Sequence, residues 1–203
     1  STTFRWRHRM LKIPTILKAE HMHGIVEFDE TYFLQSQKGN HHLERKPRTR
    51  GGKATQRGIS SEQTAVLIIR DRNGNTSDAI LEISNKETLA DVMIPLIDKD
   101  TLLCSDKKTS YTAFAKKFGY ALETINVSAK EHIRNGIYHV QNVNAYDSRL
   151  KEWMKHFHGV ATKYLESYLG WMRLLDREKD ITARQLLAVF AGRGLKYQPL
   201  MRT

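Results

Sequence analysis

Asp29, Asp106, Asn144 and Lys151 are the residues of this 203-residue chain whose types and settings suit phosphodiester chemistry. Asp29 lies in the strand-like run GIVEFDETYF. Asp106 closes TLLCSD, where an apolar run stops at a carboxylate. Asn144 and Lys151 belong to NVNAYDSRLKEW, which has helical spacing. At about 100° per residue, Val143, Tyr146, Leu150, Trp153 and Phe157 form a core-facing stripe, while Asn144, Asp147, Ser148 and Lys151 form a polar one. Carboxylates from separate strands, beside a helix that supplies further polar groups, make an oxygen-donor site suited to Mg²⁺ or Mn²⁺. A pair of such ions can activate an attacking oxygen and stabilise a leaving one.

The elements that must position these groups follow a definite order. Strand-like runs cover residues 24–33, 63–70 and 77–83, with the hairpin signal Asn73-Gly74 between the last two. Then come a helix over 86–99, a strand over 101–105, a helix over 111–118 and a strand over 120–125. Helices over 143–158, 161–178 and 182–192 complete the chain. A hairpin meander that gives way to alternating helices and strands predicts a mixed α/β sheet flanked by helices. That is the order of an RNase H-like fold, here with a C-terminal helical segment. The expected organisation is a basic linker over 1–23, a catalytic domain over 24–180, and a C-terminal helix and tail over 181–203.

Composition agrees with a polyanionic partner. The formal net charge is +11, and nucleic acid is the usual partner of such a surface. No run of about 18–20 apolar residues offers a membrane span. The single cysteine, Cys104, sits in an apolar run; it reads as an inert core residue of a reducing, cytoplasmic setting. The opening stretch holds Arg5, Arg7, Arg9, Lys12 and Lys18 before its first acid, Glu20. Trp6, Met10 and Leu11 fit one face of a short helix that Pro14 ends or kinks. Between positions 38 and 57, Lys38, Arg45, Lys46, Arg48, Arg50, Lys53 and Arg57 face one acid, Glu44. Glycines and Pro47 disfavour a helix there. This reads as a mobile DNA-contacting loop that starts near Asp29. Glu27 shares the alternating face of Asp29 and is either a supporting group or a solvated strand-end charge. His41 and His42 have no partner ligands nearby and read as surface loop residues.

VEFDETYF, the basic Gly-rich loop, SDKKTSY, HVQNVNAYDSRLKEW and HGVATKYLESYLGW together resemble the DDE-type transposases of bacterial insertion sequences, more narrowly their ISXO-type group. The resemblance runs from about position 3 to position 176. It implies that Asp29 and Asp106 bind the metal, that Asn144 stands where relatives carry Glu, and that Lys151 is the accompanying lysine. It also implies Mg²⁺ or Mn²⁺ as cofactor. Asp147 falls where relatives commonly have an aromatic residue or His, so whether Asn144 or Asp147 supplies the third ligand stays open. The activity implied is metal-dependent cleavage and strand transfer of DNA, at element ends and target, by a homo-oligomer assembled on DNA. An N-terminal DNA-binding module is expected upstream of residue 1. A non-catalytic DNA-binding remnant and a nuclease or resolvase of the same fold are the alternatives.

Overall fold

The computed structural model describes residues 2–43, 45–49, 51–56, 60–126 and 133–191. Its centre is a five-stranded sheet of β1 (Ile25–Leu34), β2 (Gln63–Asp71), β3 (Thr76–Leu81), β4 (Leu102–Asp106) and β5 (Ala121–Ile125), in the order β3-β2-β1-β4-β5. β1 and β3 run antiparallel to β2, and β4 runs parallel to both β1 and β5. This mixed order is the RNase H-like topology expected from the element sequence.

Each strand is half of two cores, because alternate residues point to opposite faces. On one face Val26, Phe28, Leu67, Ile69 and Leu103 pack with α3 (Lys86–Met93) and α4 (Thr109–Phe118) through Leu89, Met93, Tyr111 and Phe114. On the other, Val66, Ile68 and Cys104 pack with α5 (Gln141–Lys155) and α6 (Leu165–Arg177) through Val143, Tyr146, Leu150 and Leu169. Burial pushes the Cys104 thiol up to about 11, as an inert core residue requires. The β2–β3 turn contains Asn73 and Gly74, with Gly74 at φ 92°. Asp71 steadies that turn by accepting from the backbone and side-chain amides of Asn75 at 2.9 and 2.7 Å.

Two segments differ from expectation. The helix expected over 86–99 ends at Met93. Pro95 lies two residues beyond, where its ring and missing N–H stop helix propagation. The basic opening stretch forms the short helix expected there, α1 (Thr2–Leu11), but Leu11 is buried while Trp6 is exposed, and a second short helix, α2 (Ile13–Ile16), follows, both docked on α6. Arg173 on α6 is 3% exposed. Its guanidinium donates to the carbonyls of Pro14, Thr15 and Leu17 at 2.9–3.2 Å and pairs with the buried Asp78 of β3. Gly170 lets the backbones meet: a Cβ there would stand 2.8 Å from Pro14 C and Thr15 N. His8 stacks on Tyr164 with centroids 3.9 Å apart. Beyond α6, α7 (Ala183–Phe190) starts with a capping box between Thr182 and Gln185. The expected tail over 192–203 lies outside the described residues.

Candidate metal centre

β1 carries three acids within four residues, and the fold gives each a different environment. Glu27 is fully buried. Its carboxylate accepts from the backbone N–H groups of Asn142 and Val143 at 2.8 and 3.0 Å, and from the Asn142 side chain at 2.8 Å. These are first-turn donors of α5, whose own N-cap, Val140, provides no side-chain acceptor. A strand carboxylate thus replaces the missing cap and meets the positive end of the helix dipole. Arg72 at 3.2 Å and His139 at 3.4 Å complete the cluster. Burial and the Arg72 charge hold His139 below its ordinary value. Of the two readings of Glu27 open in the sequence, the supporting one applies: it fixes α5 to β1 two residues before Asp29.

Asp29 and Asp106 occupy equivalent places on neighbouring parallel strands. The β1–β4 register pairs Ile25 with Leu102 and Glu27 with Cys104. Two residues further along each strand stand Asp29 and Asp106, both on the face covered by α5. Burial and then the Asp106 charge push the Asp29 carboxyl up from 3.8 to about 7, with smaller contributions from Asp147 and Glu30; the Glu30 N–H, donating to Asp29 Oδ1 at 2.7 Å, opposes the rise. Burial also raises Asp106, against the pull of Lys108. The pair therefore resists carrying two negative charges. Asp106 Oδ1 is buried without a hydrogen-bond partner.

α5 presents Asp147, Lys151 and Asn144 in that order from the core outward. Asp147 lies about 60° nearer the buried stripe than Asn144 at 100° per residue. It is half-buried, while Asn144 and Lys151 are exposed. Asp147 Oδ1 is buried and unpartnered, and its Oδ2 accepts from Lys151 Nζ at 2.6 Å. The structure therefore brings Asp29, Asp106 and the Asp147–Lys151 pair into one electrostatic neighbourhood and leaves Asn144 on its rim. No three His, Cys, Asp or Glu side chains among the described residues are arranged closely enough to hold an ion.

Glu30 points to the opposite face of β1 and is essentially buried, its side chain 1% exposed. Burial alone would raise its carboxyl, yet hydrogen bonds from Lys108, Ser84 and Tyr32 hold it below the usual carboxylate range. Sequence reasoning did not single out Glu30 or Lys108. The signal was present in the basic pair that directly follows Asp106.

The loop cations divide. Lys38 donates to the carbonyls of Phe157, His158 and Gly159 at 2.8–3.2 Å, satisfying acceptors past the end of α5. Arg48 donates to the Gln35 carbonyl at 2.6 Å and lies 3.9 Å from Glu62. Arg45, Lys46 and Lys53 are exposed, as are His41 and His42. Arg50 and Arg57 lie outside the described residues.

The topology and the acid pair on adjacent parallel strands define an RNase H-like domain with an acidic centre. The family model of the ISXO2-like transposase domain matches residues 21–173, and the chain belongs to that family. Two solved structures show a fainter likeness. The pre-cleavage Mos1 transpososome is 12% identical, with a TM-score of 0.30 over 96% of this chain and 64% of that one. The Mos1 strand transfer complex is 14% identical, with a TM-score of 0.32 over 96% and 63%. The chain thus spans less than two thirds of the length of these transposases. Among curated proteins, none matches. No helix among the described residues is long and apolar enough to cross a membrane.

Proposed function

We propose that this chain is the catalytic domain of an insertion-sequence transposase, which cuts DNA and joins the freed 3′ end to a target with a divalent cation. One observation carries the reading: Asp29 in the middle of β1 and Asp106 at the end of β4 stand at matching positions of adjacent parallel strands, both buried enough to raise their carboxyls, with an orphaned carboxylate oxygen on Asp106. Buried, mutually repelling carboxylates with free lone pairs fit a hard cation, because only a cation relieves both burial and repulsion. Asp29 and Asp106 would hold it, and the all-oxygen donor set suits Mg²⁺ or Mn²⁺. When bound, such an ion supplies Lewis-acid stabilisation of charge at the reacting phosphate.

The third donor comes from α5. Asn144 holds the family position; Asp147 has the nearer charge and the unpartnered oxygen, and we assign the role to it, although in this arrangement its carboxylate does not yet close on Asp29 and Asp106 and would have to move in as the ion binds. Lys151, held by Asp147, places a point positive charge where a scissile or neighbouring phosphate would lie. Water attacks in the cleavage step and the freed 3′-hydroxyl in the joining step. Both are in-line displacements at phosphorus, so one centre serves both. The exposed cations of the loop hold the DNA backbone.

The test is a strand-transfer assay with the element's terminal DNA and a supercoiled target plasmid, in Mn²⁺ and in Mg²⁺. Joined product that disappears in Asp29→Asn and Asp106→Asn is expected. DNA binding with no cleavage in either metal makes the chain a non-catalytic remnant. Cleavage without joining makes it a nuclease.

A further inference from the structure

The hydrogen-bonded ladder between β1 and β4 ends at Glu27 and Cys104. Asp29 and Asp106 stand two residues past that end. Each strand remains paired on its outer side, β1 with β2 through Leu34 and β4 with β5 through Asp106. No β1–β4 backbone ladder therefore sets the gap between the two carboxylates, although their like charges push the two strands apart at this level.

We infer that Glu30 and Lys108 are positioning residues that set this gap, an inference that rests on the proposed metal centre. Their connections close a circuit around the aspartates. Asp29 Oδ1 accepts from Glu30 N at 2.7 Å. Glu30 Oε2 meets Lys108 Nζ at 2.7 Å. Lys108 N then donates to the Asp106 carbonyl at 2.9 Å. The circuit runs from the middle of β1 to the end of β4, with its ion pair on the face of β1 away from the centre, and it touches the centre's carboxylate oxygens only at Asp29 Oδ1.

The brace is also fully supported. Lys108 Nζ donates to Ser84 Oγ at 2.8 Å, and Tyr111 donates to Glu30 Oε1 at 3.1 Å; the Ser84 and Tyr32 hydroxyls donate to the same carboxylate. Three segments, β1, the loop at Ser84 and the start of α4, thus fix one ion pair. Stability alone does not call for this arrangement, because well-packed apolar side chains commonly match or exceed a buried ion pair. What an apolar replacement lacks is a fixed separation between two defined atoms, one on β1 and one at the N-cap of α4.

The deciding variant is the charge-neutral double substitution Glu30→Gln with Lys108→Met, which leaves the summed charge near the aspartates unchanged. Calorimetric titration of the full chain with Mn²⁺ is expected to show affinity about 10–100-fold weaker, the range typical of lost outer support around a metal. Lys108→Arg, which keeps charge and reach, is expected to retain most of the affinity. A folded double variant that binds Mn²⁺ within about twofold of wild type overturns the inference, whatever its thermal stability. If the double variant does not fold, Ser84→Ala removes one donor without altering any charge. A several-fold loss there supports the inference, and unchanged affinity overturns it. Asp106→Asn separates the two levels. If it abolishes Mn²⁺ binding while the double variant binds normally, only the brace fails. If it leaves binding intact, or if wild type takes up no Mn²⁺, the acid-pair reading fails and the inference with it.

Discussion

Removing the charge of Asp29 should make the metal-free protein more stable, and the size of the gain should depend on pH. The folded state raises this carboxyl from 3.8 to about 7. The unfolded chain therefore gives up the proton more readily, and ionised Asp29 opposes folding. Above about pH 7 the opposition is complete. As pH falls through 7 towards 4 the folded state takes up the proton and regains stability. Each unit is worth about 1.4 kcal/mol, so the full shift corresponds to about 4 kcal/mol. For a single site, linkage gives a recovery of roughly 3 kcal/mol between about pH 8 and pH 5. Asp29→Asn should accordingly be more stable than wild type at pH 8 in chelator, with an advantage roughly 3 kcal/mol smaller at pH 5. Urea unfolding of both proteins at the two pH values reads this directly, and the wild-type-minus-variant difference cancels the titrating groups that do not feel Asp29. An equal gap at both pH values, or a variant less stable than wild type at pH 8, would refute the reasoning. Mn²⁺ should also stabilise wild type more at pH 8 than at pH 5, because ligand and proton compete for the same carboxylates.

Further outcomes follow from other parts of the structure. Asp147→Asn should weaken Mn²⁺ binding about tenfold or more, whereas Asn144→Ala should change it little; calorimetry with the reverse ranking would return the third-ligand role to Asn144. Replacing Arg45, Lys46 and Lys53 with Ala should flatten the slope of log affinity against log salt by about 2.7, from about 0.9 per phosphate contact. An unchanged slope would make these cations bystanders. Gly170→Ala should cost about 1–3 kcal/mol, because its Cβ meets rigid backbone of α2 rather than a side chain that can swing away. Thermal unfolding measures that loss, and a neutral effect would mean that α1 and α2 are not firmly seated.

The sheet and its two aspartates are legible in the sequence because their signals are local. An apolar run that ends in a carboxylate marks a strand end, and a hairpin meander followed by helix–strand alternation leaves few topologies. The partners of Glu27 and Glu30 are a different matter. Glu27 meets Asn142 across 115 positions, and Glu30 meets Lys108 after the chain has crossed the sheet. Nothing in either neighbourhood states which face a strand acid will take. Lys38 counts as one more loop cation until the end of α5 brings three carbonyls to it. Arg173 is equally silent: an arginine in an amphipathic helix reads as surface until Asp78 and the backbone of α2 surround it. The order of Asp147 and Asn144 was partly readable, since helical phase places both on one stripe, but only docking shows which edge of that stripe meets the acid pair.

The parallel pairing of β1 with β4 also has a consequence in time. β1, β2 and β3 can zip as neighbours, whereas β4 reaches β1 only after the chain closes a 77-residue separation between Asp29 and Asp106. Such long closures come late and slow folding. The repulsion between the two aspartates is then absent while the meander forms and is met only as the last central strand docks. Asp29→Asn should therefore act mainly on the way out, slowing unfolding and leaving the refolding rate nearly unchanged. The chain assembles its scaffold before the charges that strain it come together, and a cation bound at that stage would act as a kinetic lock on the finished fold.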